Sequence, residues 1–270
     1  MKAMNTHSRE EEILGLAARD GEVSVDDLAR RLGVSEMTIR RDLARLARAG
    51  RLNRTHGGAV LSRPAVIQFS FLEAENRHAA EKRAIAREAR ERVAPGQSVA
   101  LDTGTTTLEV ARALAGVPGL TVLTSSLAIA SVLHGRENLE LVLLGGVARK
   151  HSPDLSGALT EQNAQLFRVH WAFLGADAVG PAGTFTTDFR VAGVSRALAA
   201  RADRTVLVAD HTKFDLTAFV RCVELSELDE VITDAGCAAE VRAWLEAAVP
   251  KVTYAPVDDG AVIAGGSHAR

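Results

Sequence analysis

The sequence predicts two domains of different class: a small winged helix-turn-helix over residues 6–60, and a larger open, largely parallel, Rossmann-like α/β sheet over residues 79–250. Three observations predict this. A chain of 270 residues, 47 % of them apolar, has material for two cores. Its first stretch holds three short amphipathic segments, each preceded by a Ser and followed by a Gly, the punctuation of short capped helices. From Glu81 onward, short aliphatic runs alternate with helical stretches, which is how strands buried on both faces read.

Ser8 is the expected cap of a first helix, REEEILGLAARD, with Ile13, Leu14, Leu16 and Ala17 on its apolar side and Gly21 as its stop. After VSV, Ser24 caps a second helix, VDDLARRL, which Gly33 ends. Ser35 caps a third helix running to about Gly50. The connection of about three residues between the second and third helices is typical of a helix-turn-helix. RLNRTHGGAVL then reads as two extended arms about a Gly57-Gly58 turn, a two-stranded wing. Residues 61–78, with Pro64 and mixed polarity, read as a linker. The strands expected beyond it are SVALD, LTVLTS, LELVLLGG, WAFLGADA, TVLVADH and EVITDAG, separated by helices such as LEVARALAG and SLAIASVLHG. Residues 257–270 read as a flexible tail.

Charge is unevenly distributed. Residues 1–35 carry 5 Lys/Arg against 7 Asp/Glu, and residues 36–63 carry 7 against 2. Since the chain totals −2, residues 64–270 carry −5. A compact basic patch on an otherwise acidic chain implies a localised anionic partner. On the third helix, Ile39, Leu43 and Leu46 fall on one side at about 100° per residue, while Arg41, Arg45 and Arg48 fall opposite, flanked by Met37 and Thr38. Nothing on that face is expected to neutralise them. An exposed helix with a Ser/Thr start and an arginine face suits the DNA major groove. Ser35, Thr38 and Arg41 are assigned to base edges or adjacent phosphates. Arg40, Arg45, Arg48, Arg54 and His56 are assigned to the DNA backbone, which positions without specifying.

Residues 9–58, above all VSVDDLARRLGVSEMTIRRDLARLARAGRLNRTHGGAV, closely resemble the N-terminal signature of DeoR/GlpR-type transcriptional regulators. The resemblance implies operator binding by a homo-oligomer, dimer or tetramer, and usually repression of carbohydrate catabolism genes.

In the second domain, VALDTGTTTLEVARAL places a strand, a Gly/Thr turn and a helix in succession. Asp102, Thr103, Gly104, Thr105, Thr106 and Thr107 would bring hydroxyls and free amides to a helix N-terminus, a phosphate cradle. An ordinary strand-to-helix turn has the same pattern. Ser125, Ser126, Gly145, Gly146, Arg149, Asp177 and Lys213 lie at other strand ends and could converge with them on one crevice.

Over residues 79–236, DTGTTT, TSSLAIA, LGGVARKHSPDLSG, FLGADAV and VADHTKF resemble the DeoR-type sensor domain, similar in fold to ribose-5-phosphate isomerase and the CoA-transferase group. That resemblance implies a phosphorylated sugar or related metabolite as effector. Asp177 and Lys213 match positions where the isomerases keep polar active-site groups. The sensor family commonly has a Glu, then a Lys or Asn four residues later, where this chain has Val191 and Ser195. The isomerases have carboxylates near Val191 and at Leu174, and neither Val nor Leu transfers protons. No enzyme activity is therefore expected. Two other readings stand beside a ligand-controlled regulator: a constitutive DNA binder whose second domain only oligomerises, and a sugar-phosphate isomerase.

Several classes are excluded. No apolar run approaches the ~18 residues of a bilayer span, so no membrane partner is expected. MKAMNTHSREEE lacks the apolar core of an export signal. Cys222 and Cys237 lack paired spacing, consistent with reduced thiols in a cytoplasmic protein. The eight histidines show no metal-ligand spacing, GTTT lacks the Gly-Lys-Ser/Thr of a P-loop, and no cofactor is expected.

Overall fold

The N-terminal unit contains α1 (Thr6–Asp20), β1 (Glu22–Ser24), α2 (Val25–Leu32), α3 (Glu36–Arg48), β2 (Leu52–Thr55) and β3 (Gly58–Leu61). The computed structural model describes residues 6–49, 51–55, 57–61, 71, 73–150 and 152–257. Helix α1 starts before Ser8, which lies inside it and is not its cap. The other caps form as expected. Ser24 Oγ accepts the Asp27 amide at 3.2 Å, and Gly33 closes α2 at φ +65°, with its N–H on the Ala29 carbonyl. Ser35 Oγ accepts the Thr38 amide at 3.2 Å. Ile13, Leu14, Leu28, Ile39, Leu43, Leu46, Leu52 and Ala59 fill the core.

The wing has three strands, not the expected two. Residues Glu22–Ser24 supply β1, giving the order β1-β3-β2 with Val23 opposite Ala59. Gly58 permits this pairing, because a Cβ there would lie 2.1 Å from the Val23 carbonyl oxygen.

The second unit contains, in order, α4 (Ala79–Arg90), β4 (Ser98–Leu101), α5 (Thr105–Leu114), β5 (Leu120–Thr124), α6 (Leu127–Leu133), β6 (Leu139–Leu143), β7 (Val147–Ala148), β8 (Leu155–Ser156) and α7 (Ala158–Ala164). There follow β9 (Val169–Leu174), β10 (Ala178–Gly180), β11 (Gly183–Thr186), α8 (Phe189–Ala199), β12 (Ala202–Val208), β13 (Val220–Arg221), β14 (Glu230–Asp234), α9 (Ala239–Ala248) and β15 (Val252–Ala255). Seven strands form one parallel sheet in the order β15-β14-β12-β9-β4-β5-β6.

All six expected strands lie in that sheet. The seventh, β15, falls past the expected limit at residue 250; its VTYA is a short edge strand without a long aliphatic run. The antiparallel ladders β7-β8 and β10-β11-β13 have strands of two to four residues, too short for a periodic signal. The chain enters the sheet at β4, runs out through β5 and β6, and returns past β4 to β9. The order therefore reverses between β4 and β9, and in open α/β sheets ligands bind outside the carboxyl ends of the strands at such a switch point. Residues 257–270, expected as a tail, lie outside the described residues apart from Val257.

Candidate functional site

On α3 the Ile39, Leu43 and Leu46 seam is buried, and Arg40, Arg41, Arg45 and Arg48 are exposed. The expectation that nothing neutralises the Arg41, Arg45 and Arg48 face fails at Arg45. Arg45 Nη2 lies 2.5 Å from Asp42 Oδ1, and its Nε donates to Glu10 on α1. Arg40 pairs with Glu36 one turn back, at 3.1 Å. Among the described residues Arg41 has no ion pair, and Arg48 makes only a 3.4 Å bond to the Ala44 carbonyl. Arg54 reaches the Arg40 carbonyl at 3.4 Å. Ser35 and Thr38 share a hydroxyl–hydroxyl bond of 2.9 Å at the exposed start of the helix. His56 lies outside the described residues.

Asp42 points inward. Arg9 on α1 grips it with two bonds, 2.6 Å and 3.2 Å, and both side chains are buried. The paired carboxylate holds the Arg9 guanidinium above its ordinary pKa. Helix α3 is thus fixed to α1 by an ion pair as well as by its apolar seam.

At the switch point of the second unit, Asp102 leaves β4 buried. Its Oδ2 accepts the Ser195 hydroxyl at 2.7 Å, and its Oδ1 accepts the Thr103 amide at 2.8 Å. Burial pushes its carboxyl up to about 6; the Ser195, Thr103 and Gly175 donors pull the other way, and Asp154 adds upward pressure. A Cβ on Gly175 would stand 3.0 Å from the Thr103 carbonyl oxygen, so the β4 and β9 loops meet closely.

Gly104 follows at φ +134° and opens α5 without a side-chain cap, leaving the first amides of the helix available to an anion. The threonine run divides by role. Thr103 and Thr105 are half-buried, Thr106 is buried, and Thr107 is fully buried with its hydroxyl on the Gly104 carbonyl at 3.0 Å. Thr107 therefore braces the turn.

Around this turn, Ser126 caps α6 through the Ile129 amide at 3.2 Å, and Ser125 is wholly buried. Gly146 packs where a Cβ would meet Thr160 Oγ1 at 2.0 Å, and Gly145 faces the Asn163 amide. Arg149 is held by Asp154 at 3.1 Å and Asp188 at 3.5 Å. Asp177 is exposed and ties down the Thr186 hydroxyl at 2.8 Å and the Thr187 amide at 3.1 Å. Lys213 stands after β12, near the buried Lys82 of α4. Burial lowers the Lys82 pKa, Asp210 opposes that, and Lys213 adds to it, while the Lys82 Nζ donates to the Arg77 carbonyl.

Two models of known families match the chain: the DeoR-like helix-turn-helix domain over residues 9–65 and the DeoR C-terminal sensor domain over residues 77–235. The chain belongs to the DeoR family of transcriptional regulators. It is 32 % identical over 233 residues to the glycerol-3-phosphate regulon repressor of Escherichia coli K12, covering 86 % of this chain and 92 % of that one. It is 34 % identical over 241 residues to the HTH-type transcriptional regulator GlpR of Haloferax volcanii, covering 89 % and 94 %. A ribose 5-phosphate isomerase from Methanocaldococcus jannaschii is similar at 20 % identity and a TM-score of 0.37, over 49 % of this chain and 53 % of that one. The relatives that match along most of their length are named as regulators, and this DeoR-family chain is a non-enzymatic regulator of transcription.

Among the described residues no helix is long and apolar enough to cross a membrane, and no three His, Cys, Asp or Glu side chains converge as a metal site requires. Cys222 and Cys237 are free and buried, and burial pushes the Cys222 thiol up to about 12.

Sequence reasoning missed the inward role of Asp42, the buried Lys82 and the acid Asp154. Asp42 could have been found, since it lies only about 60° from the Ile39 seam on a helical wheel. Lys82 could not: in AAEKRAIAREAR it is one of several exposed-looking cations, and only tertiary packing buries it. Ser195, noted as a departure from the family pattern, is the donor that Asp102 depends on.

Proposed function

We propose that this DeoR-family chain represses transcription as a homo-oligomer in the cytoplasm, and that a phosphorylated sugar or related metabolite in the switch-point crevice relieves the repression. Helix α3 enters the major groove. Ser35, Thr38 and Arg41 stand toward base edges and adjacent phosphates, with Arg40, Arg48, Arg54 and His56 along the backbone. The effector phosphate sits on the Gly104–Thr106 amides, drawn by Lys213 and Lys82. Its remaining groups face Asp102, Ser125, Ser126, Arg149 and Asp177. The Gly145-Gly146 turn and Thr107 shape the walls.

The observation that carries this reading is the uncapped N-terminus of α5 at the sheet's switch point. Backbone amides and a helix dipole favour an anion there, and two lysines, one of them buried, stand at neighbouring elements. An effector preferring one arrangement of the oligomer by ~1–3 kcal/mol would change operator affinity ~5–150-fold.

The test begins with selection of genomic fragments on the full chain to recover an operator, followed by anisotropy titration with a panel of sugar phosphates. Release of DNA by at least one member, and thermal stabilisation of the chain by that same compound, is expected. If every member leaves both quantities unchanged, the effector reading is wrong and a constitutive binder with an oligomerising second unit takes its place.

A further inference from the structure

The arginine face of α3 is not uniform. Arg41 stands free of acids among the described residues, whereas Arg45 is engaged at both ends of its guanidinium, by Asp42 at 2.5 Å and by Glu10 of α1. Asp42 in turn holds Arg9. The four side chains form a continuous chain across two helices, Arg9–Asp42–Arg45–Glu10, with two positive and two negative charges. Its net charge is zero. Without Arg45, Asp42 would keep Arg9, but Glu10 would lose its hydrogen-bonded cation beside a surface meant for phosphates.

We propose that Arg45 is a positioning residue: it neutralises Glu10 and Asp42 and locks α3 onto α1, and it is not itself a phosphate ligand. This rests on α3 being the DNA-contacting helix. Its physical basis is competition. A guanidinium already gripped by two carboxylates offers a phosphate little that those carboxylates do not already supply, and taking it would leave Glu10 without its hydrogen-bonded cation against the DNA backbone. The phosphate contacts of α3 then fall to Arg41 and Arg48. Glu10, two helices earlier in sequence, becomes part of the DNA-binding machinery without touching DNA.

Counterion release distinguishes a phosphate ligand from a neutralising partner, because each phosphate neutralised contributes about 0.9 to the slope of log affinity against log salt. The measurement uses the full chain and a random-sequence duplex of about three helical turns, so no operator is needed. Arg41→Gln should lower the slope by about 0.9. Arg45→Gln alone should weaken binding several-fold by exposing Glu10. The double variant Glu10→Gln, Arg45→Gln should restore affinity to within about twofold and keep the wild-type slope. The shorter double variant Glu10→Ala, Arg45→Ala, which leaves the Arg9–Asp42 pair in place, should do the same and serves if the first pair fails to fold by circular dichroism. A loss of about 0.9 or more from the slope in either double variant would make Arg45 a phosphate ligand and overturn the proposal. An unchanged slope in Arg41→Gln would remove α3 from the DNA face altogether, and both readings with it.

Discussion

Asp102 accepts the Ser195 hydroxyl and the Thr103 and Gly175 amides, yet burial still lifts its carboxyl from 3.8 to about 6. Between those two values the folded chain holds a proton that the unfolded chain has lost. Stability therefore falls as pH rises through that window, and the full cost stands above about 6. The interval corresponds to about 3 kcal/mol at the usual 1.36 kcal/mol per pH unit. Asp102→Asn should accordingly stabilise the second unit by about 1–3 kcal/mol at pH 7.5 in urea unfolding, and by little near pH 4. An Asn amide can be accommodated, since Ser195 can turn to accept from it while donating to the Val191 carbonyl 3.2 Å away. The gain should come with loss of the effector response, the exchange expected where a fold keeps a costly charge at a functional site. Lys82 offers a complementary case. Lys82→Met removes a buried ammonium that burial already disfavours, so folding should survive while stabilisation by inorganic phosphate in a thermal-shift assay disappears.

Gly58 illustrates how one backbone position governs an element. Any Cβ there stands 2.1 Å from the Val23 carbonyl, so Gly58→Ala must part β1 from β3. Overpacking against backbone of this kind costs about 1–3 kcal/mol or more, a large fraction of what a unit of some sixty residues can hold. DNA binding should be lost at 37 °C, while sugar-phosphate stabilisation of the second unit persists; two calorimetric transitions, only the first shifted, would establish it.

The elements themselves were legible to very different degrees. Ser24, Gly33 and Ser35 fix three helix ends through local bonds, and local bonds are visible in a linear sequence. The six aliphatic strands were equally clear from their short aliphatic runs, even β6, which lies at the sheet edge, is only partly buried and carries the exposed Glu140. The third wing strand was not: Glu22–Ser24 become β1 only through pairing with residues over thirty positions away. The same limit applies to the site. The DTGTTT turn was readable as a possible anion cradle, but not that Thr107 turns its hydroxyl inward, that Arg149 is shared between Asp154 and Asp188, or that Arg45 is held by Glu10.

At the scale of the whole molecule, charge and symmetry set the remaining constraints. Residues 36–63 carry 7 Lys/Arg against 2 Asp/Glu in a chain whose total is −2, so attraction to DNA is confined to one small surface of each copy. One helix-turn-helix reads a half-site, and the α3 cations without an ion pair among the described residues, Arg41 and Arg48, are too few for tight binding alone. A proposed homo-oligomer doubles that contact only if both reading helices meet the same face of the duplex, since half-sites must lie whole helical turns apart. Inserting about five base pairs between the half-sites of a recovered operator rotates one away by about half a turn and should weaken binding by ~10²-fold or more, the effective-concentration advantage of a second linked contact. Inserting about ten base pairs should restore part of it. Affinity indifferent to both insertions, measured by anisotropy on the full chain, would mean that a single α3 reads the operator, and that effector control cannot work by changing the distance between two of them.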